Sequence, residues 1–145
     1  MKIKLTINPN QGINNIEFGM DRKKVHSIIG LPSDSFYKSA SDPNMSEEYK
    51  DLKLFIYYDK KDRVGAIEAW DEALIVYNEL DLFQTKHKDL FQYFKKKDPD
   101  TKVLSDTLIS YLTGIIIWYE NDVTDKSLCT SVTAFRKGYF EKGTL

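Results

Sequence analysis

Two six-residue stretches, 54–59 (LFIYYD) and 115–120 (IIIWYE), align without a gap, and each follows a helix-forming segment. Runs of β-branched and aromatic residues favour extended chain. The polar turn 59–63 joins the first run to 64–71 (VGAIEAWD), the arrangement of a hairpin. Helix followed by hairpin, met twice, predicts an α+β fold: an antiparallel sheet with two helices packed on one face.

The remaining elements read around these hairpins. Residues 2–7 alternate at period two and predict a strand, closed by Asn8-Pro9-Asn10 and Gly12. A helix over 21–29 takes Asp21 as its N-cap, because a carboxylate there accepts the free N–H groups of the first turn. Val25, Ile28 and Ile29 share its apolar face. Gly30 accepts positive φ and stops it, and Pro32 cannot continue it. Residues 32–46 read as loop and 48–50 as a short strand. Residues 73–78 (ALIVYN) extend or follow the 64–71 strand. A second helix over 86–97 takes Thr85 as its cap, buries Leu90, Phe91 and Phe94, and ends at Asp98-Pro99-Asp100. Strands follow at 103–104, 107–112, 115–120 and 128–136, and the tail after Gly138 is expected to fray.

The length of 145 residues suits one domain, 1–145. Within it the order strand, capped helix, loop, hairpin suggests an internal duplication, about 13–78 and 79–140. Asp21 and Thr85 would be equivalent caps, and 66–70 (AIEAW) would correspond to 131–135 (SVTAF). The alternative is that apolar strands simply look alike. The stretch Phe18-Gly19-Met20-Asp21, with Val25 and then Ile29-Gly30-Leu31-Pro32, resembles the opening of small bacterial α+β domains. Among these are the outer-membrane assembly lipoproteins of the small-protein-A type, the repeats of β-lactamase inhibitor protein, and some toxin-immunity proteins. The resemblance implies helices packed on an antiparallel sheet whose broad face meets a protein partner. This sequence departs from the lipoproteins in showing no lipobox or signal peptide, so an envelope role is not expected.

The net charge of −1 offers no electrostatic case for nucleic acid or an anionic membrane, so neither is expected as a partner. No run approaches the roughly 20 apolar residues of a membrane span. The single cysteine, Cys129, allows no internal disulfide and suits a reducing, cytoplasmic setting. The histidines, His26 and His87, lack metal-ligand spacing, and there is no phosphate loop or nucleophile motif. The expectation is therefore no catalytic residue, no metal and no cofactor. His87 reads as a packing histidine, His26 as a solvated one, and Cys129 as a small core residue.

What remains points to binding. Between Val64 and Thr85 there is no Lys or Arg, but there are Glu68, Asp71, Glu72, Glu79 and Asp81. Strand alternation places Leu54, Ile56 and Tyr58 on one face and Phe55 and Tyr57 on the other. Trp118 joins the second set, and Trp70 and Glu68 share a face of the partner strand. Trp and Tyr dominate interface hot spots, so the expected partner-binding set is Phe55, Tyr57, Glu68, Trp70, Asp71, Glu72 and Trp118, with the acids along its rim. A sheet covered on both sides would give the same pattern. The expected function is a non-catalytic cytosolic protein-binding module, of the immunity or inhibitor type, that occludes a partner such as a basic toxin domain. The alternatives are a small enzyme or ligand-binding domain with scattered pocket residues, and a subunit of a larger assembly.

Overall fold

A computed structural model of the chain describes residues 3–140, so Lys2 of the first expected strand and the last five residues lie outside the described part. The elements in chain order are β1 (Lys4–Asn8), β2 (Gly12–Ile13), β3 (Ile16–Glu17), α1 (Arg22–Ile29), β4 (Asp34–Phe36), β5 (Ser46–Tyr49), β6 (Leu54–Tyr58) and β7 (Val64–Trp70). There follow β8 (Leu74–Tyr77), β9 (Leu80–Asp81), a 3-10 turn (Leu82–Gln84), α2 (His87–Lys97), β10 (Lys102–Leu104), β11 (Thr107–Ser110), β12 (Ile115–Trp118) and β13 (Ser131–Phe135). The architecture is α+β.

The larger sheet has eight strands in the order β10-β11-β12-β13-β7-β6-β5-β4, all antiparallel. A second sheet of five strands, β3-β2-β1-β8-β9, was not expected. Its centre is a parallel pair, in which Leu5 of β1 lies beside Ile75 of β8. The β1 segment was recognisable as a strand, but its partner lies some seventy positions away and no local signal announces that pairing.

Both helices pack on the same side of the larger sheet. Val25 of α1 and Leu90 and Phe94 of α2 share one core with Ile56, Ile67, Ile117 and Val132, and the smaller sheet contributes Leu5, Ile7 and Ile75 to it. Asp21 caps α1 as expected, accepting from the Lys24 N–H at 2.8 Å, and Gly30 ends it at φ +84°.

The second helix differs. Lys86 occupies its N-cap position and makes no side-chain cap bond. Thr85 instead donates its hydroxyl to the Asp81 carbonyl at 2.6 Å, and the Asp81 carboxylate caps the 3-10 turn through Gln84. Asp21 and Thr85 are therefore not equivalent caps. The segment read as loop at 32–46 contains β4, because short polar edge strands carry little apolar patterning. At the other end, Tyr139 packs over Gly65, where a Cβ would lie 2.2 Å from its ring, and Phe140 stacks edge-on against Phe135. The chain is thus anchored through Phe140 rather than frayed from Gly138.

Candidate functional site

Among the described residues the outer face of the larger sheet carries no helix. Its residues follow from the register: Asp34 pairs with Glu48, Glu48 with Phe55, Phe55 with Glu68, and Glu68 with Thr133. The same row continues through Ile116 and Ile109 to Lys102. Side chains in one cross-strand row project from one face, so three carboxylates and a phenylalanine stand in line across β4 to β7. A flanking row runs from Trp70 through Ser131 to Trp118.

This face divides in two. Around Ala66, Ile109, Ile116 and Phe135 it is a second core, covered by Tyr139 and Phe140 and abutted by Tyr57 and Trp118. Phe36, Phe55 and Trp70 belong to neither core and are half-buried. Their rings meet around Phe55, which also faces Tyr57. The Phe55 ring centroid lies 5.0 Å from Trp70, 5.8 Å from Phe36 and 6.2 Å from Tyr57. Edge-on, tilted and offset contacts of this kind suit the ring quadrupoles.

The expected binding residues therefore fare differently. Phe55 and Trp70 form the open part of the face. Tyr57 and Trp118 are half-buried against the second core rather than standing free, and the Trp118 indole N–H donates to Thr133 Oγ1 at 3.0 Å. Glu68 sits in the middle of the sheet and not on a rim. It accepts from the Tyr57 hydroxyl at 2.6 Å and from the Ser131 hydroxyl. Burial and the Glu68 carboxylate push the Tyr57 hydroxyl above its ordinary pKa, so it remains a donor to Glu68. Asp71 and Glu72 are exposed in the turn after β7, and Glu72 is paired with Lys53 at 3.4 Å.

A second constellation escaped the sequence reading. Glu47 of β5 points inward, with a side chain only 2% exposed. One carboxylate oxygen accepts from the hydroxyls of Tyr58 at 2.6 Å and Tyr49 at 3.3 Å. The other meets Arg22 Nη1 at 3.0 Å and accepts from His26 Nε2 at 2.6 Å. Arg22 is held further by Asp62 at 2.6 Å and by the Met45 carbonyl, and its guanidinium lies 4.0 Å over the Tyr58 ring. His26 is therefore tied to a buried carboxylate and is not a freely solvated residue. The available signal was i, i+4 spacing: Arg22 and His26 lie on one face of α1. What could not be foreseen was that an acidic residue in the polar run 46–50 would point into the core.

A groove of about 590 Å³ opens above this node, rimmed by Leu31, Tyr37 and Pro43. The Glu47 carboxylate is already paired with the Arg22 guanidinium, so the node holds α1 to the sheet. Elsewhere, His87 is buried and shares a hydrogen bond with the Tyr119 hydroxyl at 2.9 Å. Cys129 is buried, and burial pushes its thiol up to about 12. Among the described residues no group of three or more His, Cys, Asp or Glu side chains is placed to hold a metal ion. Among the same residues no helix is long and apolar enough to cross a membrane. No family model, curated protein or solved structure matches the chain.

Proposed function

We propose that this chain is a non-catalytic protein-binding module that neutralises a partner by occlusion, in the manner of an immunity or inhibitor protein of the cytoplasm. The observation that carries this reading is the aromatic shelf of Phe36, Phe55 and Trp70, which lies outside both cores on the helix-free face. Aromatic side chains left partly exposed outside a core suit an interaction site. The neighbouring carboxylates favour a basic partner and would hasten its association. The ligand-binding alternative has one observation in its favour, the groove above Glu47. That carboxylate already has a cationic partner in Arg22, which argues that the node serves the fold.

The test is affinity capture from extracts of the source organism with the wild-type chain, Phe55→Ala, Trp70→Ala and, as a control on the helix side, Leu31→Ala. Leu31 is 79% exposed, so its truncation leaves the core untouched. The expected result is a basic protein held by the wild type and the control, lost with both shelf variants, and inhibited in its own activity by the wild-type chain. Equal capture by all four chains, or capture without inhibition, would overturn the proposal.

A further inference from the structure

The acids on the outer face have a feature that stability alone does not explain. Asp34 and Glu48 stand directly opposite one another on β4 and β5. Like charges so placed are destabilising. Neither they nor Glu68 has a cationic partner among the described residues; the ion pairs formed there engage Glu47, Asp59, Asp62 and Glu72. Glu68 is steered by two hydroxyl donors, Tyr57 and Ser131, which orient its carboxylate without neutralising it. Glu48 and Glu68 flank Phe55 on either side, two interstrand spacings or about 10 Å apart. Between them lies a partly exposed aromatic ring, with Trp70 as a side wall.

The same face already holds one cation on an aromatic ring. Lys38 Nζ lies 4.7 Å above Tyr57 and 5.5 Å from Phe140. Among the described residues no cation lies over the next ring along the strand face, Phe55. A planar cation suits it best. Guanidinium stacks on aromatic faces, is weakly hydrated, and carries donors on two edges that could reach two carboxylates. An ammonium offers a single, strongly hydrated point of charge.

We infer that the row Asp34–Glu48–Phe55–Glu68 is the recognition site for an arginine side chain of the protein partner, stacked on Phe55 and held between Glu48 and Glu68. This rests on the docking reading above and names its chemistry. Asp34, at the sheet edge, supplies charge that draws the cation in, and Trp70 closes one side.

The probe is a short capped peptide, Ala-Arg-Ala-Arg-Ala, compared with its lysine, glutamate and tyrosine counterparts. Each is titrated into the ¹⁵N-labelled full chain to high millimolar concentration. The arginine peptide should shift the amide signals of Glu48, Phe55 and Glu68, bind more tightly than the lysine peptide, and weaken as salt is raised. Glu48→Gln should weaken it several-fold while the thermal midpoint holds or rises, since one member of the like-charge pair is gone. Phe55→Leu should remove the preference for arginine over lysine. If the arginine peptide binds elsewhere, binds nowhere, or is indifferent to Glu48→Gln, the inference fails. Should the tyrosine peptide alone occupy the Phe55–Trp70 shelf, the arginine assignment falls while the docking reading stands. A partner captured independently of Phe55 and Trp70 removes both.

Discussion

Replacing Glu47 by glutamine keeps its shape and removes its charge. The carboxylate takes four contacts, two from tyrosine hydroxyls and two from cationic or ionisable side chains. Hydrogen bonds to a charged group contribute about 1.5–3 kcal/mol each, against about 0.5–1.5 kcal/mol for neutral pairs. The glutamine amide can turn its oxygen toward Arg22 and His26 and its NH₂ toward the tyrosines, whose hydroxyls can rotate to accept. Each contact then weakens by roughly 1 kcal/mol without being left empty. Arg22 recovers part of that, since its side chain is 23% exposed and Asp62 still holds it. The expected cost is about 2–3 kcal/mol, or a fall of roughly 5–10 °C in the thermal midpoint for a chain of this size. Glu47→Leu should cost at least as much, because the Tyr58 hydroxyl, whose acceptor is Glu47, is then buried without one. Urea unfolding followed by far-UV circular dichroism measures both. A change below about 0.5 kcal/mol for Glu47→Gln would mean that these bonds exchange evenly with water and that the node is not what ties α1 to the sheet.

Three further outcomes are expected. Gly12 sits at φ +149° with the Ile16 carbonyl 2.0 Å from where a Cβ would lie, so Gly12→Ala should lower stability by about 1–3 kcal/mol or more, read in the same urea assay. Burial holds the His87 imidazole below its ordinary pKa, partly offset by Asp125, so the unfolded chain binds the proton more readily. The wild type should therefore lose stability as pH falls through about 6.5 and go on losing it down to the lower folded pKa, and His87→Gln should flatten that slope in unfolding curves taken across this range. Cys129, its thiol raised to about 12, should react with a disulfide reagent far more slowly in the native chain than in urea, and rapid native labelling would contradict the burial.

Much of the fold was legible because it rests on short-range rules. Asp21 and Gly30 bracket α1 through cap geometry, and period-two alternation correctly put Ile56 in the core and Phe55 outside it. The misreadings occurred where another contact competes for the side chain, near in sequence or far. Thr85 has cap chemistry, yet its hydroxyl is drawn back to the Asp81 carbonyl by the 3-10 turn. Glu47 drew no reading from the sequence, because its burial depends on Arg22, His26, Tyr58 and Tyr49 converging on it. At the site, Phe55, Trp70 and Glu68 were accessible to strand alternation. Asp34 and Glu48 were not, because they lie on strands too short and polar to show a period, and only their register places them beside Phe55.

The two hairpins carry the same register into opposite chemical settings. Leu54 pairs with Ala69 and Ile56 with Ile67, as Ile115 pairs with Ala134 and Ile117 with Val132. By that correspondence Phe55 and Glu68 stand where the other hairpin has Ile116 and Thr133, and Glu48 stands where β11 has Ile109. Glu68 and Thr133 face each other at the central β7–β13 pair, so the row across the sheet is one half acidic and aromatic and one half aliphatic. Inward, Glu47 takes the place of Leu108. The aliphatic half is buried under Tyr139 and Phe140, the chain's own C-terminal segment. Among the described residues the acidic half has no such cover, although its strands pair in the same register. Stability can be served by either chemistry on a strand, but only covered residues need to be apolar. Carboxylates and partly buried aromatic rings therefore stand on the half that no described segment covers.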